Sequence, residues 1–151
     1  MLLTLAMVSA AASVVAARWA DQDARTREQH LLRIGDQYAR ALADYLAAAP
    51  GQDRRPPQQL QQLLLDTRFA GTRRHLRALY PDPVTGRPDW VLVRDARGDI
   101  IGLHSASVAQ PWAQVALSLA HCELPAARRY ADWVFQPSPP SPPNQTRKAS
   151  S

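Results

Sequence analysis

The first seventeen residues, MLLTLAMVSAAASVVAA, carry no charge, and no Gly or Pro separates them from the polar segment that follows. An α-helix rises about 1.5 Å per residue, so this run covers roughly 25 Å of a hydrocarbon core about 30 Å thick. It is slightly short for a comfortable span. A cleaved signal peptide would have a similar apolar core, but it carries positive charge ahead of that core, and here the first basic residue is Arg18. A buried core helix is the third reading. The favoured one is a membrane anchor facing lipid through Leu2, Leu3, Leu5, Val8, Ala12 and Val15. Trp19 follows where an interfacial aromatic belongs.

Beyond Ala17 the apolar residues become periodic. Leu31, Ile34, Tyr38, Leu42 and Tyr45 recur every three or four positions, with Leu32 and Leu46 beside them, which defines one stripe of an amphipathic helix. The spacing predicts a single helix continuing to about Ala49, stopped by Pro50 and Gly51. Residues 18 to 30 offer only Trp19 as a large apolar side chain, so they read as a solvated neck. Four segments result: an apolar helix half at 1–17, its amphipathic continuation at 18–49, a head at 50–135 and a Pro/Ser-rich tail at 136–151 expected to be disordered.

Within the head, Pro56 and Pro57 precede Leu60, Leu63 and Leu64, which predicts a short helix ending near Asp66. A further turn or two of helix is expected over Arg73 to Leu79, with Leu76, Leu79 and Tyr80 inward and the arginines outward. Pro81, Asp82, Pro83, Thr85 and Gly86 are turn chemistry. Trp90 to Val93 and Ile100 to His104 read as two strands of a hairpin with Gly98 in the left-handed position of its loop. Trp133 to Phe135 is a candidate third strand. Pro111 and Pro125 bracket a segment in which Trp112, Val115, Ala116, Leu119 and Cys122 share a face, which predicts another helix. The fold class is therefore α+β, a long N-terminal helix leading into a small head with short helices and a small antiparallel sheet.

Several kinds of chemistry are weakly represented. Net charge is +5, but the basic residues are scattered among acids, so nucleic-acid binding is not favoured. Cys122 is the sole cysteine, which excludes an internal disulfide and a cysteine metal cluster. His104 and Ser105 are adjacent on a strand and point to opposite faces, so they form no nucleophile and base. No enzyme is expected. His30, His75 and His121 read as surface or capping residues, Trp90 and Trp133 as core, and the Arg-rich face of residues 68 to 77 as solvated or as contact with an acidic neighbour. Asn144 to Thr146 matches a glycosylation acceptor by chance.

LQQLLLDTRF at 60–69, RRHLRALYPDPVTGRPDWVLVRDARGDIIGLHS at 73–105 and ADWVF at 131–135 resemble type II secretion pseudopilins and the wider type IV pilin-like proteins, in particular a subgroup related to the major pseudopilin. The most distinctive block is Tyr80, Pro81, Asp82, Pro83, Thr85, Gly86, Asp89 and Trp90. The resemblance implies a pilin-like fold and a single-pass subunit of the bacterial inner membrane with its head in the periplasm. Such subunits are processed by prepilin peptidase and polymerise with other pseudopilins into a fibre that supports protein secretion. An assembly ATPase and a platform protein drive the extension.

The family's Gly-Phe-Thr cleavage word and its helix glutamate are both absent here. A basic leader upstream of Met1 would account for the missing word, and for arginines lying on the wrong side of the run for the charge rule. The resemblance also raises calcium, for which Asp82, Asp89, Asp95 and Asp99 are weak candidates without the spacing of a calcium loop; turn and strand-cap roles compete. No other cofactor is expected. The alternative function is a membrane-anchored or secreted periplasmic binding protein that does not polymerise.

Overall fold

A computed structural model describes residues 2–51 and 54–138; for 2–17 it describes the backbone and not the side chains. One continuous helix, α1, spans Leu2–Ala47. It is followed by the one-turn helix α2 (Gln61–Leu64) and the strands β1 (Val91–Arg94), β2 (Ile100–His104), β3 (Leu117–Ser118) and β4 (Glu123–Leu124). A 3-10 turn at Tyr130–Asp132 completes the described head.

The stripe on α1 is the spine of the core. Leu31, Ile34, Tyr38, Leu42 and Tyr45 are all buried, against Leu63, Leu76, Ile100, Leu103, Trp133 and Phe135 from the head. Residues 18 to 27 are exposed throughout. Gly35 lets the two halves close. A methyl group there would lie 2.3 Å from the Phe135 ring, so the ring rests directly on the helix backbone, an approach only glycine permits.

The hairpin follows the predicted grammar. β1 and β2 pair antiparallel from Val91 with His104 to Arg94 with Ile100, and the register shifts at Val93/Arg94. Gly98 has φ of +85°. The loop is closed by Asp95, whose Oδ1 accepts the backbone N–H groups of Arg97 (2.9 Å) and Asp99 (3.0 Å). The expected third strand is reduced to one bridge, in which Phe135 and Leu103 exchange backbone hydrogen bonds.

α2 ends at Leu64, within two residues of Asp66, where the Leu63 carbonyl accepts the N–H groups of His75 and Leu76 (2.8 and 2.9 Å) and the chain doubles back. Two expectations fail because backbone groups are bonded elsewhere. Residues 73 to 79 form no helix, and Leu79, expected inward, is exposed. The segment between Pro111 and Pro125 is not a helix either, but irregular chain followed by the short β3–β4 pair. Cys122 is buried, whereas Trp112, Val115 and Ala116, expected to share a face with it, are exposed. A smaller difference is that α1 ends two residues before Ala49, within the ordinary uncertainty of a helix boundary. Of the tail, residues 139–151 lie outside the described residues.

Candidate functional site

The YPDPVTGRPDW block is a fastening device. The Tyr38 hydroxyl accepts the Tyr80 N–H (2.9 Å) and donates to the Tyr80 carbonyl (3.2 Å). The Trp90 indole N–H donates to that carbonyl as well (2.8 Å). Asp82 is fully buried. Its Oδ1 accepts the Val84 N–H (2.8 Å) and its Oδ2 the Ser105 hydroxyl (2.5 Å), which joins the loop to the end of β2. Gly86, at φ of +71°, returns the chain toward Asp82, and Asp89 accepts from Thr85 (2.5 Å) beside Arg87 (3.0 Å).

Asp82 and Asp89 thus serve one turn, and Asp95 and Asp99 the hairpin loop. No group of three or more His, Cys, Asp or Glu that could hold a metal occurs among the described residues. His104 and Ser105 do not bond to each other: His104 Nδ1 lies 2.9 Å from the Ser105 carbonyl, while the Ser105 hydroxyl donates to Asp82.

Three further carboxylates carry structure that sequence reasoning missed. Glu28, taken as part of a solvated neck, is buried. It accepts the N–H groups of Trp112 (2.6 Å) and Ala113 (3.0 Å) and the Tyr130 hydroxyl (2.9 Å). Burial, then the bond to Glu28, raises the Tyr130 pKa. Asp36 accepts the His121 N–H (2.7 Å) and lies 2.8 Å from His121 Nδ1. Burial, reinforced by Asp36, pushes the neighbouring Cys122 thiol up to about 12, so it is a packing residue rather than a nucleophile.

At the far end of the stripe Arg68, expected on a solvated face, turns inward. It pairs with Asp66 (2.7 Å), donates to the Tyr45 carbonyl (2.7 Å), and lies 3.6 Å from the centre of the Tyr45 ring. His75 Nε2 approaches the same carboxylate at 3.0 Å. The Arg68 hydrogen bonds hold the Asp66 carboxyl well below its usual range. Of the three isolated histidines, then, His75 and His121 are clasped by aspartates and His30 is exposed.

An open groove of about 740 Å³ is walled by Gln37, Arg40 and Asp44 on one side and Arg74, Arg77 and Tyr80 on the other. It is basic and lacks a nucleophile with a base. The lipid-facing candidates Leu2, Leu3, Leu5, Val8, Ala12 and Val15 lie where side chains are outside the described structure. Among the described residues no helix is long and apolar enough to cross a membrane. Comparison of the chain with protein-family models, curated proteins and solved structures finds no match.

Proposed function

We propose that the chain is a structural subunit of a type II secretion pseudopilus or a type IV pilus-like fibre, held in the bacterial inner membrane by the first part of α1, with its head in the periplasm. One observation carries the reading. The 46 residues of α1 make a rod about 69 Å long, and where its side chains are described, residues 18–27 stand exposed before the head covers it from Glu28 onward. A helix with a ten-residue exposed stretch ahead of its domain is best kept helical when the segment before that stretch lies beside lipid or copies of itself. The uncharged sequence of residues 1–17, rich in Ala and Ser, suits both neighbours. In this reading the head is a rigid knob without catalytic work, and the fastened 80–90 turn keeps its shape under the load of extension.

The basic groove beside Arg40, Arg74 and Arg77 favours a second reading, an anchored head that binds an acidic ligand and does not polymerise. Cysteine crosslinking separates them. Leu5→Cys paired with Ala12→Cys, placed in full-length chains in membranes with secretion partners present, should give a ladder of linked subunits. Monomers alone under oxidising conditions that link a control dimer would overturn the fibre reading.

A further inference from the structure

The head carries an unusual surface at its neck end. Seven large apolar side chains are exposed among the described residues, and the four most exposed are Val108 (71%), Val115 (63%), Trp112 (57%) and Trp19 (69%). Three of these lie in one loop, and the fourth is on the helix below it. The loop is seated by Glu28, which binds the backbone of Trp112 and Ala113, and by the Ala109 carbonyl, which accepts the Tyr130 N–H (3.1 Å). Its apolar residues are therefore presented by a fixed backbone. From Ile100 to Cys122 the chain has no Asp, Glu, Lys or Arg, so no formal charge need be desolvated when this loop leaves water. The Arg25 guanidinium lies 4.1 Å from the centre of the Trp112 ring. Arg25 lies three residues before Glu28 and seven after Arg18, so both arginines continue the head-facing stripe of α1 toward the uncharged run.

We propose that the loop from Val108 to Val115 is a membrane-docking surface, on which the head leans against the headgroup layer of the bilayer that holds α1. This rests on the anchored reading above. The chemistry fits a lipid surface: a tryptophan and two valines enter the headgroup boundary while the arginines meet lipid phosphates. The geometry agrees. Arg25 lies about 12 Å along the axis beyond Ala17, whereas the headgroup layer is roughly 5–7 Å thick on each side. An upright helix would hold the loop just clear of it. The loop is offset from the axis by on the order of 10 Å, so a lean of about 30° toward it brings Trp112 to roughly 5 Å, within the tilts that single helices show.

The test uses full-length protein in vesicles of phosphatidylethanolamine and phosphatidylglycerol, with brominated lipids quenching tryptophan at shallow or deep positions. Trp133 is buried and Trp90 half-buried in the head, so the lipid-sensitive emission belongs to Trp19 and Trp112. In a Trp19→Phe chain, shallow bromines should quench more than deep ones. Adding Trp112→Phe, an exposed change whose melting curve serves as the folding control, should remove most of that quenching. If Trp19 is quenched by lipid while Trp112 responds only to aqueous iodide, the docking surface is wrong and the anchor stands. If Trp112 is shielded from both quenchers only at densities where copies crosslink, the loop belongs to a neighbouring subunit and the proposal falls. Absence of lipid quenching at Trp19 as well would remove the anchor and the docking surface together.

Discussion

Residues 31 to 45 and residues 18 to 27 belong to the same unbroken helix, yet they are held in opposite ways. The first stretch is sealed by the head, its stripe fully desolvated and Gly35 pressed against Phe135. The second has no side chain inside and is supported by local pairs such as Arg27 with Asp23 and a backbone bond accepted by Gln22 from the Thr26 hydroxyl. Helices in water owe most of their stability to packing of an apolar face. The neck therefore depends on its attachment to the head at Glu28. The head is thus a core built around the second part of α1.

Breaking the seam between the two stretches should have the largest effect. Glu28→Ala strands two backbone N–H groups and the Tyr130 hydroxyl, at a cost of about 2–4 kcal/mol, which thermal melting should show as a loss on the order of 10 °C. Next comes Gly35→Ala. Alanine is normally the better helix former, by about 1 kcal/mol, but the clash with Phe135 reverses the sign. A net loss of roughly 1–3 kcal/mol is expected in denaturant titrations, and Phe135→Leu in the same chain should recover part of it. A stabilising Gly35→Ala would mean that the helix and the 133–135 segment are not in close contact.

Acid probes the opposite end of the stripe. The Arg68 hydrogen bonds lower the pKa of Asp66 in the folded protein, so its stabilisation is present above the unfolded carboxylate value of about 4 and is lost as pH falls through the folded one. Stability curves of the native chain and Asp66→Asn should lie apart at neutral pH and approach each other at strongly acid pH; parallel curves would contradict the assignment. The smallest effect belongs to the neck, where Arg27→Ala should change stability by less than about 0.5 kcal/mol, because both partners of its ion pair are more than half exposed.

What could be read in advance was local. The α1 stripe and the β1–β2 hairpin are encoded within a few residues, by spacing and by Asp95 and Gly98, and both stand where the periodicity and turn chemistry put them. The 111–125 segment was misread because Trp112, Val115, Leu119 and Cys122 fall at helical spacing. Its backbone donors are instead taken by Glu28 and Asp36, more than eighty positions earlier. Those two carboxylates look like any others on the charged side of a helix, and only the tertiary fold selects them. Arg68 and His75 were missed similarly, since Asp66 draws both inward. Much of the candidate site was thus legible as a turn and a hairpin, while its attachment to α1 was not.

Amide hydrogen exchange along α1 in the full-length chain, compared between dilute detergent micelles and membranes in which subunits are densely assembled, probes the two halves of the helix most directly. Residues 31–45 should exchange slowly in both. Residues 18–27 should exchange quickly in micelles and become protected on assembly. Equal protection of both stretches in isolated subunits, or a neck that stays unprotected in the assembled membrane, would contradict a helix divided between its own head and its neighbours.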